Sequence, residues 1–137
     1  MLDGSLRCRV DGALGTVVTD VAKAVGGGAS APSPGWLMRA ALAACDTVTI
    51  AMEAAREGIE LTDLEVTVDS VSDSRGMLGV DDAVPPGPLA VRVRIRLAAS
   101  NADDDRLRAL VERAESRSAV LDAITRAVPV TTEIVTG

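Results

Sequence analysis

A chain of 137 residues is long enough for one hydrophobic core, and 47% of this chain is apolar. Aromatics make up 1%, with Trp36 alone and no Phe or Tyr, so the core must come from Val, Leu, Ile, Ala and Met, and any pocket is aliphatic. Histidine is absent, which excludes Ser-His-Asp and Cys-His catalysis and histidine metal sites; a net charge of -6 without stacking residues argues against nucleic-acid binding.

Further exclusions follow from segments. No Gly-rich stretch ends in the Lys-Ser/Thr of a phosphate loop, and two cysteines alone make neither a structural zinc site nor a secreted disulfide framework. The amino terminus lacks a basic region followed by an apolar run, so no signal peptide is expected. The apolar region from Ala40 to Met52 is interrupted by Asp46 and too short to span a bilayer. A cytoplasmic protein with no membrane segment, no metal and no cofactor is the expectation.

In chain order, Leu6, Cys8 and Val10 alternate with Arg7 and Arg9, and Asp11-Gly12 predicts a positive-φ hairpin turn into a second strand over 13–21. Cys8 falls on the apolar face, as a core residue would. Gly26-Gly27-Gly28 to Pro32 reads as a loop. Ser33-Pro34 supplies an N-cap and a first-turn proline for a helix ending at Glu57, with Gly58 as its stop. Between Ala40 and Met52 this helix is apolar nearly all round, and Ala40, Ala41, Ala43 and Ala44 allow close approach of another helix.

Two amphipathic strands follow. One has Leu64, Val66 and Val68 inward with Glu65 and Asp69 outward; the other has Val91, Val93, Ile95 and Leu97 inward with Arg92, Arg94 and Arg96 outward. Opposite charges predict antiparallel pairing of the two. The Asp73–Pro88 stretch between them reads as a long loop. Asp103-Asp104-Asp105 suits a helix amino end, followed by an apolar stripe at Leu107, Leu110, Val111 and Ala114. Ser118 caps a short helix to about Arg126, and a last strand is predicted over Val128–Val135. The order predicts a single α+β domain over residues 1–137.

The stretch Pro32-Ser33-Pro34-Gly35-Trp36-Leu37 through Ala41-Leu42-Ala43-Ala44-Cys45, continuing through Thr49, Met52, Gly58-Ile59 and Leu64-Glu65-Val66, resembles the OsmC/Ohr hydroperoxide-reductase family. The resemblance implies an OsmC-like fold, with antiparallel sheets wrapped around long central helices in an intertwined homodimer. It implies that Cys45 attacks a small apolar hydroperoxide, aided by an arginine from the amino-terminal part, for which Arg7 and Arg9 are the candidates. Lys23 is the only other cation before the long helix. Arg39 lies about 240° around that helix from Cys45.

Two positions depart from the family pattern. The glutamate that orients the arginine matches Gly35, and the second, resolving cysteine matches Ser118. Cys45 would then depend on an external thiol. Without a cation from another segment, a cysteine inside an apolar helix is expected to have a raised pKa. Cys45 is thus either the peroxidatic residue or a small buried hydrophobe. Cys8 is a core residue or a stand-in resolving thiol, and Ser118 is a helix cap rather than a nucleophile. The alternative to a peroxide reductase in oxidative-stress defence is a non-catalytic dimer binding an apolar ligand or protein.

Overall fold

The computed structural model describes residues 1–2 and 6–137. They form β1 (Cys8–Gly12), β2 (Gly15–Thr19), a 3-10 turn (Lys23–Val25), α1 (Pro34–Glu57), β3 (Leu61–Ser72), α2 (Ser74–Met77), β4 (Pro88–Ala99), α3 (Asp104–Glu115) and α4 (Ala119–Thr125). This is a mixed α and β chain with small antiparallel sheets. It divides into two compact units, residues 1–41 with 68–92 and residues 42–67 with 93–137.

In the first unit β1 and β2 pair antiparallel, Cys8 opposite Thr19 and Gly12 opposite Gly15. The turn therefore falls at Ala13-Leu14, two residues beyond the predicted Asp11-Gly12, because both of those pair within the strands. Cys8 is only half-buried and Val10 is 53% exposed, so the face predicted to be core is largely open. A two-stranded hairpin cannot by itself cover either of its faces.

The glycine loop is ordered by one carboxylate. Asp20 is 2% exposed and accepts the N–H groups of Val21, Gly28 and Ser30 and the Ser30 hydroxyl. Those donors, led by the Ser30 amide, hold its pKa at about 2 against an ordinary 3.8. Gly27 has no room for a Cβ, which would run into the Val21 carbonyl. The loop's donors are thus consumed internally, which explains its composition without a ligand.

Ser33 caps α1 by accepting the Trp36 N–H at 3.2 Å, and Gly58 ends it at φ 63°, the left-handed conformation that glycine adopts without strain. The 73–88 stretch is more structured than a loop. Asp73 caps the single turn of α2 through the Arg75 N–H, and the Arg75 guanidinium bridges Asp73 and Asp81.

In the second unit the core is Ile50 and Ala54 of α1, Ile59, and Leu107, Leu110 and Ala114 of α3, flanked by inward residues of β3 and β4 such as Leu64, Val66, Ile95 and Leu97. The period of two along both strands matches the predicted inward sets. The charged pairs run as predicted. Arg92 meets Asp69 at 3.1 Å in the first unit, and Arg96 meets Glu65 at 2.8 Å in the second, so the strands are antiparallel. These pairs are exposed and worth about 0.2–1 kcal/mol each, enough to favour a register but little more. Asp103 caps α3 and Ser118 caps α4.

The predicted strand over 128–135 does not form. Val130, Ile134 and Val135 are 82–85% exposed, and the segment pairs with neither of the two-stranded sheets.

Candidate functional site

Two carboxylates on α1 and two arginines from α3 onward bring the site together. Glu53 and Glu57 are four residues apart on α1, which puts them on one face; Arg113 sits in the last turn of α3 and Arg117 in the turn that follows the helix. Arg113 grips Glu57 through both oxygens, at 2.7 and 2.8 Å. Arg117 bonds Glu53, which is 6% exposed and also takes Arg56 at 3.0 Å. Burial raises the Glu53 pKa, but the two guanidiniums outweigh it and the net shift is downward. With α3 clamped antiparallel on α1, the next residue, Ser118, arrives two turns up from Glu53, at Cys45.

Ser118 is 1% exposed, so its hydroxyl must find partners. It accepts the Leu121 N–H at 3.3 Å as the cap of α4 and donates to the Cys45 Sγ at 3.4 Å. The Cys45 pKa is lowered, first by this hydroxyl and then by the Val120 N–H; burial opposes, the Ala119 N–H adds to the lowering, and Asp46 opposes. The expectation that only a cation could acidify Cys45 is therefore corrected. Neutral donors do it, and they come from a segment 73 residues further on. Proximity to α1's own amino end is irrelevant.

Asp46 is 0% exposed, and neither carboxylate oxygen has a hydrogen-bond partner among the described residues. Half-buried Glu115 has its pKa raised by burial, then by Asp46 and Glu112. The Cys45 sulfur thus meets the Ser118 hydroxyl, and the residue after it is a buried carboxylate without a hydrogen-bond partner among the described residues. Asp46, Glu115, Ala119 and Val120 were not anticipated as site residues; the one signal was an aspartate beside the cysteine in an otherwise apolar helix.

The remaining candidates lie elsewhere. Arg9 is exposed and paired with Asp11 at 2.9 Å, Arg7 is partly buried just ahead of β1, and both belong to the first unit, whereas Cys45 belongs to the second. Lys23 is in the 3-10 turn and exposed. Arg39 donates to the Ser70 hydroxyl at 3.0 Å, and Gly35, one turn before it, leaves the glutamate position without a side chain. Cys8 also lies in the first unit, where its thiol donates to the Arg9 carbonyl at 3.7 Å. A groove of about 680 Å³ between β4 and α3, lined by Arg94, Leu97, Leu107 and Arg108 among others, does not include Cys45. Among the described residues no three of Cys, Asp and Glu converge as a metal site requires, and no helix is long and apolar enough to cross a membrane.

The sequence model of the family described as OsmC-like protein matches residues 26–133. The chain belongs to the OsmC-like family. None of the curated proteins matches it in sequence. Its fold is similar to that of an OsmC-like protein from Mycoplasma pneumoniae (14% identity, 90% of this chain and 82% of that one, TM-score 0.74). It is also similar to a protein from Psychrobacter arcticus described as an osmotic stress induced and detoxification response protein (20%, 90% and 83%, TM-score 0.71). A third is an organic hydroperoxide resistance protein OsmC from Legionella pneumophila (19%, 90% and 92%, TM-score 0.59). At these identities the likeness is one of fold. In this OsmC-like chain the position implied for the resolving cysteine, Ser118, does lie against Cys45.

Proposed function

We propose that this OsmC-like protein is a Cys45-dependent reductase of small apolar hydroperoxides that relies on an external thiol. The observation that carries this reading is the Ser118 hydroxyl, at the amino end of α4, donating to the Cys45 sulfur at 3.4 Å. This donor, with the Val120 and Ala119 amides adding to it, lowers the Cys45 pKa and so favours the thiolate, which is the nucleophilic form. The thiolate attacks the outer peroxide oxygen, the O–O bond breaks, and the alkoxide leaves and takes a proton from solvent to become an alcohol. Cys45 is left as a sulfenic acid, oxidised by two electrons. An external thiol then displaces water to give a mixed disulfide, and a second thiol releases Cys45 and leaves as the oxidised disulfide.

Ser118 cannot take part in thiol–disulfide exchange, so the intramolecular shortcut of a resolving cysteine is closed. The working unit in this reading is a homodimer in the cytoplasm. Support for the dimer comes from α1, where Val48 and Met52 are 56% and 51% exposed. Mild peroxide treatment followed by mass spectrometry tests the chemistry. Without added thiol, the wild type consumes at most one equivalent of peroxide per subunit, trapped as sulfenic acid on Cys45. A Cys45 that stays wholly reduced at millimolar peroxide refutes the enzymatic reading.

A further inference from the structure

Glu53 is buried in the second unit at 6% exposure and is held by two guanidiniums, Arg56 at 3.0 Å and Arg117 at 2.5 Å. Burying an ion pair costs desolvation that the attraction barely repays, so stability alone does not account for it. Arg56 stands three residues on along α1 itself and ties Glu53 to no other element. Arg117 belongs to the three-residue corner between α3 and α4 and immediately precedes Ser118. The N–H groups of that corner bond only back to α3: Ser116 to the Glu112 carbonyl, Arg117 to Ala114 and Ser118 to Glu115. Its side chains reach α1 at two points, Arg117 on Glu53 and Ser118 on Cys45. The second is a hydroxyl–sulfur contact of 3.4 Å, a weak hold for a corner; the first is a charge-assisted bond and much the stronger. Glu53 lies about 12 Å further along the axis of α1 than Cys45, a gap bridged by a long arginine and a short serine that are consecutive in the chain.

We infer that Glu53 is a positioning residue for Cys45: by holding Arg117 it keeps the Ser118 hydroxyl on the sulfur, and so sets the reactivity of a thiol two turns away. This rests on the Cys45-centred reading of the site and adds to it a side chain that touches neither the sulfur nor a peroxide. The role has a signature in its sign. Through space alone, a carboxylate about 12 Å along the helix from the sulfur disfavours the thiolate, so removing its charge would make Cys45 more acidic. Acting through Arg117, the same carboxylate favours the thiolate, so removing its charge makes Cys45 less acidic.

The test is the rate at which iodoacetamide alkylates Cys45 in the full-length protein, followed across the thiol titration range by mass spectrometry of the peptide that carries it. It needs no peroxide. Glu53→Gln, which keeps shape and removes charge, should move the inflection of the pH profile up by about one pH unit and slow alkylation about tenfold below it. Arg117→Gln should do the same. Arg56→Gln strips a guanidinium from the same carboxylate without touching the corner, and should leave the profile where it is. Asp46 and Glu115, the neighbouring acids, are retained in every variant. An inflection that stays or moves down in Glu53→Gln overturns the positioning role, and so does an equal rise in the two arginine variants. If Glu53→Gln does not fold, those two decide: a rise confined to Arg117→Gln supports the role, and no rise overturns it. Peroxide oxidation of Cys45 is then scored on the same proteins. An inflection that rises as expected while Cys45 stays inert to peroxide sinks the reductase reading and leaves the positioning role standing.

Discussion

Replacing Ser118 by cysteine tests the geometry on which the site depends. The Ser118 Oγ lies 3.4 Å from the Cys45 Sγ. A sulfur in that rotamer has to move in by little more than 1 Å to reach an S–S bond length of about 2.05 Å, a shift that side-chain adjustment can supply. The two residues are 73 apart in sequence, and in the chain-entropy view a loop of that size closed by a disulfide stabilises by about 4 kcal/mol. Loss of the serine cap costs about 1 kcal/mol. The oxidised variant should therefore exceed wild type by about 3 kcal/mol, read as a higher urea midpoint that drops below the wild-type value when reductant is added. Combining the change with Cys8→Ser leaves Cys45 and the introduced thiol as the only two in the chain, so a mass lower by two hydrogens after mild peroxide identifies the bridge. No bridge, with the variant folded, would refute the placement of α4's cap against Cys45 and the alignment of Ser118 with a resolving position.

Leu110 is 0% exposed at the centre of the second unit, so Leu110→Ala should cost about 2–5 kcal/mol in urea denaturation, whereas fully exposed Leu14→Ala should change stability by no more than about 0.5 kcal/mol. Asp20, with its pKa lowered to about 2, contributes stability that is fully present above its ordinary 3.8 and is lost as pH falls through the window from 3.8 to 2. Asp20→Asn should therefore be less stable than wild type at pH 7, with the two stability curves converging near pH 2. Sedimentation at low micromolar concentration should show a dimer, and Met52→Glu on the exposed face of α1 should weaken it; a stable, folded wild-type monomer would refute the dimer.

Local chemistry made much of the chain legible. Ser33-Pro34 and Gly58 delimit α1 at Pro34–Glu57, because capping and stop signals act within one turn of the residues that carry them. The period of two in Val91, Val93, Ile95 and Leu97, and the acidic and basic outer faces, fixed the pairing partner and sense of β3 and β4. Where a second layer or neighbour was needed, prediction and structure part. The hairpin turn moved from Asp11-Gly12 to Ala13-Leu14, Cys8 was not fully covered, and Val128–Val135 joined neither sheet. A strand's pattern states which face wants burial but not whether anything is there to bury it.

The site shows the same division more sharply. Cys45 could be singled out from its motif, and Ser118 from the family pattern, since both depend on residues adjacent in sequence. The acidity of Cys45 could not, because its donors arrive from α4, carried there by the Glu53–Arg117 and Glu57–Arg113 clamps. Nor did the sequence disclose that Asp46 is buried without a partner. Hydrogen bonding and desolvation act over a few ångströms in space, whatever the separation along the chain. Sequence therefore determined which helix bears the thiol, and tertiary structure decided which donor meets it and that the carboxylate beside it is buried.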